Sequence, residues 1–176
     1  MRAIRGTFLT LSILMAANLS GAQEASRSDW KPLADFESVE SFEKQLSGDQ
    51  EDCLTNAGGG SMAVTCFKLY ELWDRELNIQ YRRLQGVLDE EGRKKLTESQ
   101  RDWIKFRDST IEFNSYVLAF TYSAPGTMWL GVRAEVADKA MAGIVRDRTL
   151  MLLDWEKRWS GGPVNEETIL NEPANP

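Results

Sequence analysis

The sequence predicts an all-α protein: three long helices in an antiparallel up-down-up bundle, with a short N-terminal helix and one disulfide-closed loop. Three observations carry this. Apolar residues recur at steps of three and four along three long stretches, the period of an amphipathic helix. Short segments holding Gly or Pro separate those stretches, which makes sequential helices antiparallel neighbours. No segment alternates with the period of two that a half-buried strand requires, and no internal repeat is present.

The elements follow in order. Residues 1–22 read as a signal peptide: Arg2 and Arg5 form a basic start, Phe8 to Ala17 an apolar run, and Ser20-Gly21-Ala22 a small-residue cleavage site. The competing reading, a membrane anchor, needs a longer apolar run. Leu19-Ser20-Gly21 is what precedes the lipidated cysteine of a bacterial lipoprotein, but Ala22 follows and has no thiol to acylate. The mature chain is therefore expected to begin at Gln23, periplasmic or secreted, with no stable membrane association. Residues 23–52 form a lead with a short helix over about Glu37 to Leu46, stopped by Gly48. A helical domain spans 53–159. Within it, Cys53 to Ser61 is a loop around Gly58-Gly59-Gly60. The first long helix runs from about Ser61 to Glu91 on an arc of Cys66, Leu69, Tyr70, Trp73, Leu77, Tyr81, Leu84 and Leu88, with Gly92 as its stop. The second runs from about Arg93 to Thr121 on Leu96, Trp103, Ile104, Ile111, Val117 and Leu118, and Ser123-Ala124-Pro125-Gly126 breaks it. The third runs from about Met128 to Trp159. Residues 160–176 open with Gly-Gly-Pro, turn acidic and read as a disordered tail.

Charge and composition narrow the chemistry. The chain carries 21 Lys and Arg against 27 Asp and Glu, a net −6. Removing residues 1–22 takes away two arginines and no acid, leaving 19 against 27, or −8. Such a surface disfavours nucleic acid and anionic lipid, which need Lys and Arg to meet phosphate. It favours cationic partners by steering their approach. The chain has no histidine, which removes the commonest general base, the usual catalytic triads and most zinc sites. No metal or cofactor site is expected. In an exported chain the two cysteines, Cys53 and Cys66, point to a disulfide, two free thiols being the alternative.

Polar residues inside apolar arcs are the informative ones. Gln100, Arg107 and Asn114 lie seven apart, near the middle of the second helix's face, and Arg148 sits mid-arc on the third. A guanidinium facing a core needs partners, because an unpaired buried charge costs several kcal/mol. Asp74 and Asp108 stand at arc edges, with Asn78 one turn beyond Asp74. Together Asp74, Asn78, Gln100, Arg107, Asp108 and Arg148 are expected to form an internal polar network that fixes helix register, the alternative being a binding slot. On this reading, losing Arg107 strands an acid at a cost of order 3 kcal/mol.

A family resemblance rests on two blocks. Cys53 and Cys66 are followed by Asp74-Arg75-Glu76-Leu77-Asn78 with Tyr81, then Leu96, then Gln100-Arg101-Asp102-Trp103-Ile104-Lys105-Phe106-Arg107-Asp108. This order and spacing resembles the LprI-type lysozyme inhibitors, small bacterial envelope proteins, over about Cys53 to Leu153. The resemblance implies a helical fold and inhibition of lysozyme. Two departures stand out. Members commonly carry a second cysteine pair, where Ile111 and a residue near Ala140 stand here, and a Thr before the position of Arg148, where Val145 stands.

The expected function is thus binding, not catalysis: inhibition of a lysozyme-like glycoside hydrolase, a typically cationic protein. The alternative is an envelope accessory protein that binds peptidoglycan fragments or another envelope protein. With the helix faces taken up by the core, recognition is expected at the loops of one bundle end, through Gly58, Gly59 and Gly60 and through Tyr122 and Trp129.

Overall fold

A computed structural model describes residues 30–163; the expected signal peptide and nearly all of the expected tail lie outside that range. Four helices make up the architecture: α1 (Val39–Asn56), α2 (Leu69–Val87), α3 (Glu90–Thr121) and α4 (Thr127–Ser160). A 3-10 turn at Leu33–Asp35 precedes α1, and a longer one, Gly60–Cys66, joins α1 to α2. No strand occurs among the described residues.

Helices α2, α3 and α4 make the up-down-up bundle. Contacts fix their directions. Leu69 meets Asp138 and Val87 meets Trp159, so α2 and α4 run parallel. Asp74 faces Arg107 while Tyr81 reaches Thr97, so α3 runs antiparallel to α2. Ion pairs four residues apart form on the outer faces: Glu71–Arg75 at 2.6 Å, Glu135–Lys139 at 2.6 Å and Asp154–Arg158 at 2.5 Å.

The boundaries differ from the sequence expectation in three places. Helix α1 runs through Gly48 and past Cys53, because it is better anchored than a lead would be. A capping box between Ser38 and Ser41 starts it. Phe42 and Leu46 then bury into the bundle, Phe42 edge-on to Trp73 with centroids 5.2 Å apart. Glu43 pairs with Arg146 of α4. Second, α2 begins at Leu69 instead of Ser61, because residues 60–66 wind as a tighter 3-10 turn tied back to α1 by the Cys53–Cys66 disulfide. Third, Gly92 is not a stop. It sits in the first turn of α3, where its N–H donates to the Asp89 cap at 2.7 Å, and Glu90 and Glu91 complement the positive helix end.

Shortening α2 matters to the surface. It has 19 residues against 32 and 34 in α3 and α4. With Asp74 level with Arg107, the C-terminal part of α3 and the start of α4 project beyond the first turn of α2 as a two-helix hairpin. The 3-10 turn packs on the α4 side of that projection, with Gly60 beside Thr127 and Gly131. Of the apolar arc expected on α3, Leu96 and Leu118 are buried, whereas Ile104 and Val117 are exposed. Reducing the disulfide should lower stability by about 2 kcal/mol, a little under the chain-entropy figure for a loop of this size. Urea melts with and without reductant measure the difference.

Candidate functional site

The six polar residues expected to form one network divide into two groups. In the first, Arg107 donates to Asp108 at 2.9 and 2.7 Å and lies 3.7 Å from Asp74, while Asn78 donates to Asp74 at 3.1 Å. Asn78 and Asp108 are exposed, so this group sits at the bundle surface. Burial presses the Arg107 pKa down, but the Asp108 hydrogen bond and the neighbouring Tyr70, Asp108 and Asp74 outweigh it and hold the guanidinium above its ordinary value. In the second group, Arg148 is 5% exposed and donates to Gln100 at 3.1 Å and Ser99 at 3.0 Å. Trp103 joins the two, with the Arg107 guanidinium 5.4 Å and that of Arg148 5.8 Å from its ring centroid.

Arg148 is satisfied without an anion. Its hydrogen bonds go to Gln100, Ser99 and the sulfur of Met151, and Trp155 covers it at 5.1 Å. Burial holds its pKa below the ordinary arginine value. Aromatic faces and neutral acceptors therefore replace the carboxylate that sequence reasoning assigned to it. Because Asp74 and Asp108 keep contact with water, Arg107→Met should cost about 1 kcal/mol, well short of the figure for a stranded buried acid. Chemical denaturation of the variant checks this.

The buried charges missed at the sequence level are Glu76 and Asp138. Glu76 is fully buried on α2, and its Oε1 accepts the Leu33 N–H at 2.8 Å. Asp138 of α4 accepts the N–H groups of Leu69 and Tyr70, each at 3.0 Å, and so caps the first turn of α2 from a neighbouring helix. Neither carboxylate lies in an open cleft. No group of metal-ligating side chains occurs among the described residues.

The two predicted loops share one end of the molecule. Gly58, Gly59 and Gly60 have φ of 71°, 80° and 58°, a left-handed run that a side chain at Cβ disfavours. Their turn abuts the first turns of α4, just past the α3–α4 connection, through Gly60, Thr127 and Gly131. Arg133 pins that connection by donating to Tyr122 O at 2.5 Å. Tyr122 and Trp129 are half-buried, with ring centroids 6.2 Å apart. Met62 and Met128 are exposed there, as is Phe120 near the end of α3. At the opposite end, Leu84, Leu88, Leu96, Trp155 and Trp159 line an open groove of about 460 Å³.

Comparison with known proteins adds one match. A family model described as Lysozyme inhibitor LprI matches residues 51–150. No curated protein and no solved structure matches.

Proposed function

Because the chain belongs to the LprI lysozyme inhibitor family, we propose that it is an exported protein that binds and inhibits a lysozyme or related peptidoglycan hydrolase without catalysis of its own. The family match is the observation that carries this reading. Charge supports it: a net −6 suits a cationic enzyme and speeds its approach. The recognition surface in this reading is the bundle end where the glycine turn meets the α3–α4 connection. Loops closed by a disulfide and pinned by Arg133 lose little entropy on docking, and Met62 and Met128 supply exposed apolar contacts.

Titration against a panel of lysozymes tests the proposal, with substoichiometric protein expected to leave activity and excess to abolish it. Met62→Glu and Met128→Glu should each weaken inhibition about tenfold, the loss of about 1.4 kcal/mol of interface energy, while melting like the parent. These variants serve better than alanines at Gly58 to Gly60, which would strain the turn. A parent that inhibits no lysozyme removes the reading. One observation favours a second: Trp155 and Trp159 border the open groove at the other end, an arrangement suited to stacking on sugar rings of peptidoglycan fragments. Quenching of tryptophan fluorescence by muropeptides, without enzyme inhibition, would select it.

A further inference from the structure

The expectation that the core consumes every helix face fails on α3. Phe106, Phe113, Tyr116 and Phe120 are 58%, 68%, 74% and 84% exposed. Phe106, Phe113 and Phe120 lie seven residues apart, and Tyr116 and Val117 fall between the last two, so all five share one stripe. The stripe lies roughly a third of a turn away from the face carrying Leu96, Trp103 and Leu118. The outer half of α3 thus has two apolar faces, one against α4 and one against nothing.

We propose that this second face pairs two copies of the chain, α3 against α3, antiparallel about a two-fold axis at Phe113. Four aromatic side chains of ~150–250 Å² each, all more than half exposed, offer on the order of 600 Å² per copy. Two copies then bury above the ~1,000 Å² that separates a specific interface from an incidental contact. That area also sits at the top of what a monomer leaves open as a single patch, ~300–600 Å². The spacing of seven, with residues between at three and four, matches another helix and not a flat or extended partner. A two-fold axis at Phe113 is self-complementary: it sets Phe106 opposite Phe120 of the second copy and Ser109 opposite its Val117. The same register places Lys105 opposite Thr121 and Glu112 opposite Asn114 of the second copy, so no like charges meet.

The C-terminal segment is a poor alternative occupant. It leaves α4 at Ser160, beside the Trp159–Val87 contact and at the far end of the bundle from Phe120. Residues 164–176 hold no aromatic and three glutamates, a weak match for a stripe of phenylalanines.

Sedimentation equilibrium of the exported protein at micromolar concentration is expected to give twice the chain mass, with tighter association at higher salt as repulsion between two acidic copies is screened. Phe113→Asp and, separately, Phe106→Asp should halve the mass while leaving helical circular dichroism and melting of the monomer intact, because neither side chain is part of the core. Mixed Ser109→Cys and Val117→Cys proteins should cross-link to each other faster than either does to itself. A parent that stays monomeric overturns the proposal, including the case in which it is monomeric and Phe113→Asp loses lysozyme inhibition, which would give the face to the enzyme. Dimers that survive both aspartate variants overturn it too, and preferential self-linking through Ser109→Cys overturns the antiparallel register.

Discussion

Asp138→Ala should destabilise the protein by on the order of 3 kcal/mol, more than its position on a helix with many exposed charges suggests. The reason lies on α2. That helix starts at Leu69 after Lys68, whose side chain provides no cap, so its first N–H groups depend on another element. Both oxygens of Asp138 are used, one by Leu69 and one by Tyr70, and the carboxylate sits at the positive end of the α2 dipole. Hydrogen bonds to a charged acceptor contribute ~1.5–3 kcal/mol each, and their removal leaves two partly buried donors without water. Asp138→Asn keeps one good acceptor and should lose roughly half as much. Urea denaturation of the three proteins decides it; equal stability of Asp138→Ala and the parent would mean that α2 starts elsewhere. Because this contact also sets where α2 ends its cover of the α3–α4 hairpin, the alanine variant should show faster amide exchange around the 3-10 turn than around Trp155.

The three bundle helices were legible because their apolar repeats are long, and a period of 3.6 is distinct over twenty or more residues. The start of α2 was not, because residues 60–66 make fewer than two α-helical turns, too few to tell a period of 3.0 from one of 3.6. Lys68, which offers no cap, gave no sign of a helix start there. Helix α1 was read as too short because Gly48 looks like a terminator, whereas the anchoring of Phe42 and Leu46 and the capping box at Ser38 outweigh one glycine's cost of about 1 kcal/mol. For the site, Arg148 stood out as a charge in an apolar arc, and the structure buries it. Asp138 and Glu76 did not stand out. Acids next to a basic residue, Asp138 before Lys139 and Glu76 after Arg75, read as solvated, and the true core line of α2, through Trp73, Glu76, Leu77, Gln80 and Leu84, is rotated by only about a third of a residue step from the arc chosen, enough to bring Glu76 and Gln80 inside. The open stripe on α3 had a signal in plain sight, Phe106, Phe113 and Phe120 at sevenfold spacing. Periodicity alone cannot say which of two apolar faces meets the rest of the chain.

Glu76→Gln should raise stability at neutral pH by about 1 kcal/mol, the low end of the cost of an unsatisfied buried acceptor, an unusual sign for a substitution at a fully buried position. Glu76 and Gln80 lie one turn apart on the buried line of α2, and each has a buried oxygen with no hydrogen-bond partner, Oε2 of Glu76 and Oε1 of Gln80. Unsatisfied buried acceptors cost ~1–3 kcal/mol each, and one hydrogen shared by two oxygens a helical turn apart would relieve both. A protonated Glu76 supplies that hydrogen. Burial is the main influence on its pKa and raises it; the Leu33 N–H and Arg83 pull it back, and Asp35 pushes it up, leaving a net rise from the ordinary 4.5. The sign of the pH dependence follows. Between 4.5 and the raised value the folded chain keeps a proton that the unfolded chain has released, so stability falls as pH rises through that interval and is level above it. Glutamine carries its own N–H, can offer it to Gln80, and still accepts from Leu33 through Oε1, so the variant loses this fall and gains most above the interval. Below it, where Glu76 is protonated in both states, variant and parent should be nearly equal. Urea melts of both proteins from acid to neutral pH measure the difference directly. A constant offset between the two curves would mean that Glu76 titrates alike in the folded and unfolded chain, and a variant less stable at neutral pH would mean that the carboxylate is held by partners stronger than the Leu33 N–H.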